Sequence, residues 1–370
     1  MVKDVARVIT GLERKSIAWQ ILFEVELVAA NDYALLVGIQ RYPGIRDLGG
    51  PENDVNEIAH WLIDPQGGDV PRDQITTIVS SAFPSNGDMA RPVLDDLHQF
   101  FAMLFLKQLS KQQQDGSPQL GRRLYLFLSG HGFHASELSQ AALCMANSNA
   151  SINNYPHLGG QVYADNIANH GMFEEVFLWM DCCRQTIPSL TVNRPTWPPR
   201  VPPIPPRRFF WAFATGSGAL AAEAEMEVRG VRKAHGIFTA LFLDALEKCK
   251  TRMGGQVCAS DIASYIGGGM KRVLGPTAPE PQFQTDPLHD MVLFHRTKNL
   301  TVARFKIPGA AAGTLTLTTG QDEPALPGPV PISQEAASTE LEPGIYKAVV
   351  DGTGRFALFT HPSVSDVTIT

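Results

Sequence analysis

The sequence predicts an α/β fold: a doubly wound, mostly parallel six-stranded sheet with helices on both faces, followed by a small C-terminal all-β domain. Three observations carry that expectation. Near-continuous apolar runs, such as Ala34-Leu35-Leu36-Val37-Gly38-Ile39 and Leu124-Tyr125-Leu126-Phe127-Leu128, suit strands covered on both sides. Segments with helical spacing alternate with these runs, which is the order of a parallel sheet. After about Asn299 helical spacing disappears, and short β-type runs separated by Gly, Pro and Asp replace it.

The elements follow in order. Residues 1–30 mix charged and apolar residues at helical spacing and read as an amphipathic lead-in. Tyr33 to Ile39 is the first strand, and Glu52 to Leu62 a helix with acidic residues near its start. Ile75 to Val79 is a second strand. Asp95 to Leu109 is a strong helix, ended by the polar stretch Lys111 to Pro118. Leu124 to Leu128 is the third strand, Glu174 to Met180 the fourth, ending on Asp181, and Phe209 to Ala214 the fifth. Helices are expected over Gly236 to Lys248 and Ser260 to Val273, with Met291 to Phe294 as the sixth strand. Residues 31–298 then form the main domain. Residues 299–370, with β runs at Thr301 to Phe305, Thr314 to Leu317, Tyr346 to Val350, Phe356 to Phe359 and Val367 to Thr370, read as a small sandwich.

Composition narrows the function. The chain has 370 residues, 44% hydrophobic and 18% charged, so it can bury a large core. A net charge of -6 supplies no global basic field for nucleic acid or an anionic membrane. No run of 18 apolar residues and no apolar leader appear, so neither a membrane span nor a signal peptide is expected. Five cysteines, an odd number, argue against a disulfide framework and suit a reducing cytoplasm. No Cys-x-x-Cys or His-Glu-x-x-His supports zinc. Asp64, Asp69 and Asp73 match no calcium-loop spacing and read as solvated surface, so no cofactor or metal is expected. A nucleotide-binding module is disfavoured, because neither Gly-x-Gly-x-x-Gly after the first strand nor a P-loop is present.

Chemistry concentrates in two places. His131 lies in Leu128-Ser129-Gly130-His131-Gly132, and Cys183 in Trp179-Met180-Asp181-Cys182-Cys183. Each sits just beyond a strand, and in doubly wound sheets chemistry collects outside the carboxyl ends of the strands. A thiol and an imidazole brought together there form a nucleophile and its base. A cysteine beside a buried strand is more often a small core hydrophobe; the Gly-flanked histidine raises the alternative, since glycines let backbone approach a substrate. Adjacent strand residues point to opposite sides, so only one of Cys182 and Cys183 can face the histidine.

These blocks resemble the caspase–metacaspase clan of cysteine peptidases (peptidase C14), over roughly residues 31 to 296. The histidine block is Ser129 to Gly132, the nucleophile block Asp181-Cys182-Cys183. The opening strand agrees, as do Leu48, Asn53-Asp54, and His235-Gly236-Ile237-Phe238-Thr239 with the helix after it. The resemblance implies a caspase-like fold and an endopeptidase working through a His131–Cys183 dyad, with backbone amides of Gly132 and Cys183 as the oxyanion hole. It selects Cys183 over Cys182, which joins Cys144, Cys249 and Cys258 as packed thiols. It places Asp54 and Asp181, with Ser129 beside them, around the residue before the scissile bond, implying cleavage of proteins or peptides after Arg or Lys. It further implies a monomer. The pattern departs at Arg184-Gln185, where the clan has a glycine, and that puts the turn after the thiol in doubt.

The segment 187–208 stands apart, with Pro198-Pro199, Pro202-Pro203-Ile204-Pro205-Pro206 and the basic residues Arg194, Arg200, Arg207 and Arg208. It cannot continue a helix or enter a sheet interior. A polyproline spacer or SH3-type ligand is the plain reading. Its place after the nucleophile makes it an expected activation loop of a zymogen, cut at one of its arginines by the enzyme itself or by an upstream protease. The competing reading of the whole chain is a catalytically silent scaffold of the same fold that recruits partners.

Overall fold

Alternation along the strands decides where the cores lie. In β1 (Tyr33–Gly38), Tyr33, Leu35 and Val37 join one apolar cluster while Ala34 and Leu36 join another. The sheet is thus covered on both faces, as its unbroken apolar runs require. This computed structural model describes residues 31–84, 90–135, 140–187, 190–197, 208–252, 255–296, 301–319, 324–326, 328–341, 344–361, 364 and 366–370. The expected lead-in over 1–30 lies outside the described residues, as do Arg200 and Arg207.

In chain order β1 is followed by α1 (Pro51–Ile63), β2 (Ile75–Val79), α2 (Leu94–Asp115), β3 (Gly121–Gly130), β4 (Gly132–His134), β5 (Ala141–Cys144), β6 (His157–Leu158) and α3 (Gly160–His170). Next come β7 (Phe173–Cys182), β8 (Gln185–Thr186), β9 (Arg208–Phe213), β10 (Glu223–Val228), β11 (Val231–Gly236) and α4 (Ile237–Lys248). β12 (Gln256–Cys258), α5 (Ala259–Leu274), β13 (Gln282–Thr285) and β14 (Val292–His295) complete the first unit.

The main sheet has the order β13-β9-β7-β3-β1-β2. All its pairs are parallel except β13 with β9. Phe100, Phe101 and Leu104 of α2 and Tyr163 and Ile167 of α3 cover one face. Val55 and Ile58 of α1, Phe238 and Phe242 of α4, and Ile262 and Ile266 of α5 cover the other. Two expectations need correction. The sixth strand is β13; the run at 291–294 instead pairs as β14 with β12 in a separate two-stranded sheet. β13 reads Gln-Phe-Gln-Thr, an edge strand with alternating exposure, so no apolar run announces it. Helix α2 also continues past Leu109 to Asp115, because Lys and Gln favour helix and the stop comes only at Gly116, whose φ of 76° is left-handed.

The chain folds as two compact units, one running to Arg252 and resuming at Gln256–His295, the other comprising Arg296–Thr370 with 253–255. In the second, β15 (Thr301–Lys306), β16 (Ala312–Thr319), β17 (Val330–Ser333), β18 (Ala336–Leu341), β19 (Gly344–Val350), β20 (Phe356–His361) and β21 (Asp366–Thr368) follow one another. They form one continuous sheet, β20-β19-β16-β17-β18-β15-β21, around a core that includes Phe305, Leu317 and Phe359. Strands at 330–341 were not expected from the sequence. Among the described residues no helix is long and apolar enough to cross a membrane.

Candidate active site

The parallel strands β3 and β7 run side by side, with Ser129 level with Asp181 and Gly130 with Cys182. Both strands leave the sheet at the same edge, and His131 and Cys183 border one cavity of about 580 Å³. Cys182 is fully buried and its thiol packs where a Cβ of Gly132 would lie. Cys183 is half-buried and lines the cavity. The parity argument therefore has a physical outcome: one thiol is core, its neighbour is accessible. Cys249 and Cys258 are buried too; Cys144 is buried but contributes to the cavity wall.

The imidazole is held by backbone. Its Nε2 lies 2.6 Å from the carbonyl oxygen of Arg46, and its ring meets Tyr42 edge-on at 4.8 Å between centroids. A carbonyl only accepts, so Nε2 donates there, which in the neutral ring leaves the lone pair on Nδ1. Tyr42 Oη accepts from His131 N at 3.1 Å and donates to the Cys144 carbonyl at 3.2 Å. No hydrogen bond joins His131 to Cys183 among the described residues; the Cys183 thiol instead points at the Ala221 carbonyl, 4.0 Å away. Burial, then the charges of Asp181 and Glu223, push that thiol above its ordinary value. Sequence reasoning did not find Arg46, because any residue can supply a main-chain oxygen.

The glycines around His131 serve packing more than substrate approach. Gly130 has φ 154°, and a Cβ there would run into Tyr42 Oη; one on Gly132 would meet Cys182 and the Ala142 carbonyl. Beyond the thiol, β8 pairs in parallel with β4. His134 Nε2 accepts from Thr186 Oγ1 at 2.7 Å while its Nδ1 donates to the Ala135 carbonyl. The missing glycine at 184–185 costs nothing in backbone strain, since neither residue has a left-handed φ. Arg184 is fully buried, donating to the Thr215 carbonyl and to Gln282 Oε1.

The two expected carboxylates meet at the start of α4. Asp54, in the first turn of α1, accepts from His235 Nδ1 at 2.9 Å, Gly236 N at 3.2 Å and Ser129 Oγ at 3.3 Å. Asp181 Oδ2 accepts from Thr239 N at 3.0 Å and Thr239 Oγ1 at 2.6 Å. Together they satisfy N–H groups that the beginning of a helix leaves open. Asp181 and Ser129 border the cavity; Asp54 does not, and sits behind them, a correction to its expected place in the wall. The first-turn position and the bonds to His235 and Gly236 draw it inward. Among the described residues Asp181 Oδ1 has no hydrogen-bond partner, and both bonds from Thr239 go to Oδ2. Burial pushes Asp54 up to about 6, and burial with the neighbouring Asp54 charge pushes Asp181 up to about 7. Glu223, missed in the sequence, also lines the cavity and accepts from Gly49 N and Gly50 N at 3.1 Å each, ahead of α1. Its signal was the alternation of Glu with apolar residues along β10.

The expected loop is partly pinned. Trp197 packs tilted against Phe101 and Phe105 and edge-on to Tyr163, and donates from Nε1 to Asn166 Oδ1 at 2.6 Å. Asn193 accepts from Gly159 N at 2.7 Å and donates from its own N to His157 Nε2 at 2.9 Å. Arg194 is exposed. Arg208 already belongs to β9, opposite Glu175.

A doubly wound sheet presenting an accessible thiol and a backbone-anchored imidazole in one cavity is the architecture of a cysteine-type peptidase. The chain belongs to the caspase-domain family, peptidase C14, whose family model matches residues 31–263. Among solved structures, caspase-1 from Spodoptera frugiperda is similar at 10% identity and a TM-score of 0.44, over 74% of this chain and 93% of that one. A comparison with curated proteins finds no match.

Proposed function

We propose that this peptidase cleaves proteins after Arg or Lys through a His131–Cys183 dyad, and that cutting within the segment 187–208 regulates it. The observation that carries the reading is that Cys183, His131 and buried Asp181 all line one cavity. A guanidinium or ammonium entering there needs a matched carboxylate, which Asp181 supplies, with Asp54 adding charge from behind and Ser129 a polar contact.

The steps follow from the hydrogen bonds. With Nε2 donating to Arg46, Nδ1 of His131 accepts the Cys183 proton as sulfur attacks the scissile carbonyl. The raised thiol favours transfer during attack over a resting thiolate. Backbone N–H groups of Gly132 and Cys183 stabilise the oxyanion. The imidazolium then protonates the leaving amine, and water resolves the thioester. Arg194 is exposed, but the bond after it leads into Pro195, whose ring nitrogen makes it a poor site, and Arg208 would have to leave β9 before being cut, so Arg200 and Arg207 remain the expected processing sites.

A peptide panel differing only in the residue before the scissile bond tests this. Arg and Lys peptides should be cleaved, Asp peptides not, and Cys183→Ala should abolish turnover while Cys182→Ala retains it. Turnover by Cys183→Ala, or a preference for Asp, refutes the assignment.

A further inference from the structure

The carboxylate assigned to the basic side chain of the substrate, Asp181, marks one end of the cavity. At the other, Ile45, Tyr155 and Ile187 present partly buried apolar side chains that pack on the core. Their place relative to the imidazole follows from backbone connections. Ile45 precedes Arg46, whose carbonyl binds His131 Nε2. Gly44 bridges Asn149 and accepts from Ala150 N, setting this loop beside the segment that leads to Tyr155. Ile187 directly follows β8, which pairs with β4, the strand that starts just after His131. Cys144 N donates to the His131 carbonyl. The apolar end of the cavity is thus the imidazole's end. Asp181, Glu223 and Gly236 mark the opposite end, near the start of α4.

Chemistry assigns the two ends different parts of a substrate. The imidazolium must hand its proton to the amine that departs, so the leaving segment lies on the imidazole's side. We propose that Ile45, Tyr155 and Ile187 form the subsite for the residue that follows the scissile bond, and that they select a large apolar side chain there. This rests on the dyad reading above and narrows the substrate to a basic–apolar junction. The cavity's carboxylates, Asp181 and Glu223, lie at the other end, so a second basic residue in this position would bury charge without a partner and is disfavoured. Small residues leave the apolar wall unfilled, and an acidic residue would bury charge against it.

Internally quenched peptides with Arg before the scissile bond, varied only after it (Leu, Ile, Phe, Gly, Asp, Lys), provide the test on the full chain. Leu, Ile or Phe should exceed Gly in kcat/KM by about tenfold or more, and Asp and Lys by a larger factor. Ile187→Ala should shrink the Leu-to-Gly ratio, and Ile187→Asp should move the preference towards Lys. Ratios within one active-site-titrated sample do not depend on how much of a variant folds, and Tyr155→Ala provides an independent check on the first ratio. A Leu-to-Gly ratio below about twofold in the wild type, or a preference for Asp, overturns the subsite while leaving the dyad standing. Failure to cleave any peptide of the panel, including arginyl-aminomethylcoumarin, both before and after limited proteolysis within 187–208, overturns the dyad reading and the subsite with it.

Discussion

Replacing Asp181 with Asn separates what that carboxylate does for the substrate from what it costs the fold. Asp181 is buried, its pKa raised to about 7 by burial and by Asp54. Its charge therefore grows as pH rises from 5.5 to 8. If the anion receives the cationic side chain, preference for that charge should fall by about tenfold or more on acidification across the interval. The assay is the ratio of kcat/KM for an Arg peptide to that for its citrulline twin, an uncharged near-isostere. Titration of the dyad affects both peptides and cancels. Asp181→Asn should lower the ratio and flatten its pH dependence, leaving the smaller effect of Asp54, raised to about 6. Stability should move the other way. The folded state keeps a proton that the unfolded chain sheds between about pH 4 and pH 7, so stability falls as pH rises through that window. Asn, unable to ionise, does not incur that loss. Thermal melts should therefore show Asp181→Asn gaining on the wild type at pH 8 relative to pH 4. An Arg-to-citrulline ratio independent of pH in the wild type would refute the reasoning.

Other perturbations probe the neighbouring geometry. Gly236 has ordinary dihedrals, φ -62° and ψ 129°, but no room for a Cβ against the Asp181 carboxylate. Gly236→Ala should cost about 1–3 kcal/mol in urea unfolding and raise KM for Arg peptides; an unchanged midpoint would mean that α4 yields easily. Because burial holds the Cys183 thiol up, its alkylation by iodoacetamide should keep accelerating above about pH 8.5, with fully buried Cys182 unlabelled by mass spectrometry. A plateau already reached at pH 6 would instead indicate a resting ion pair. Trp197→Ala removes the ring that pins the segment after the thiol, and should speed limited thermolysin cleavage at the Thr191–Val192 bond by about tenfold, read on gels and by mass spectrometry. An unchanged rate would show that Asn193 and His157 suffice to hold it.

The sequence was most legible where one physical rule dominates. Runs such as Leu124 to Leu128 had to be covered on both faces, and β1, β3, β7 and β9 lie where their apolar residues put them. Cys183 rather than Cys182 at the cavity follows from strand parity and the register of β3 with β7. Polar edges were harder. β13 carries little apolar signal, and its place in the main sheet depends on β9 being available beside it. The β10–β11 hairpin has Glu223, Glu225 and Glu227 exposed in alternation, a strand pattern that its charge disguised. Asp54 was found by type and position, yet its retreat behind Asp181 depends on His235, 181 residues away in sequence. Distances of that order are set by tertiary packing, which local periodicity does not report.

The carbonyl that holds the His131 imidazole has a consequence for how this site can vary. Position 46 contributes an oxygen common to all twenty amino acids, so its side chain is free to drift. What must be inherited is the path of the loop, fixed by the Tyr42 N–H donating to Asp47 at 2.7 Å and the Leu48 N–H donating to the Gln40 carbonyl at 2.9 Å. Substitution scanning across Arg46 would therefore look almost silent, whereas deleting one residue between Tyr42 and Leu48 would move the oxygen and disarm the imidazole. Here the heritable quantity is a length of chain rather than the identity of any letter in it.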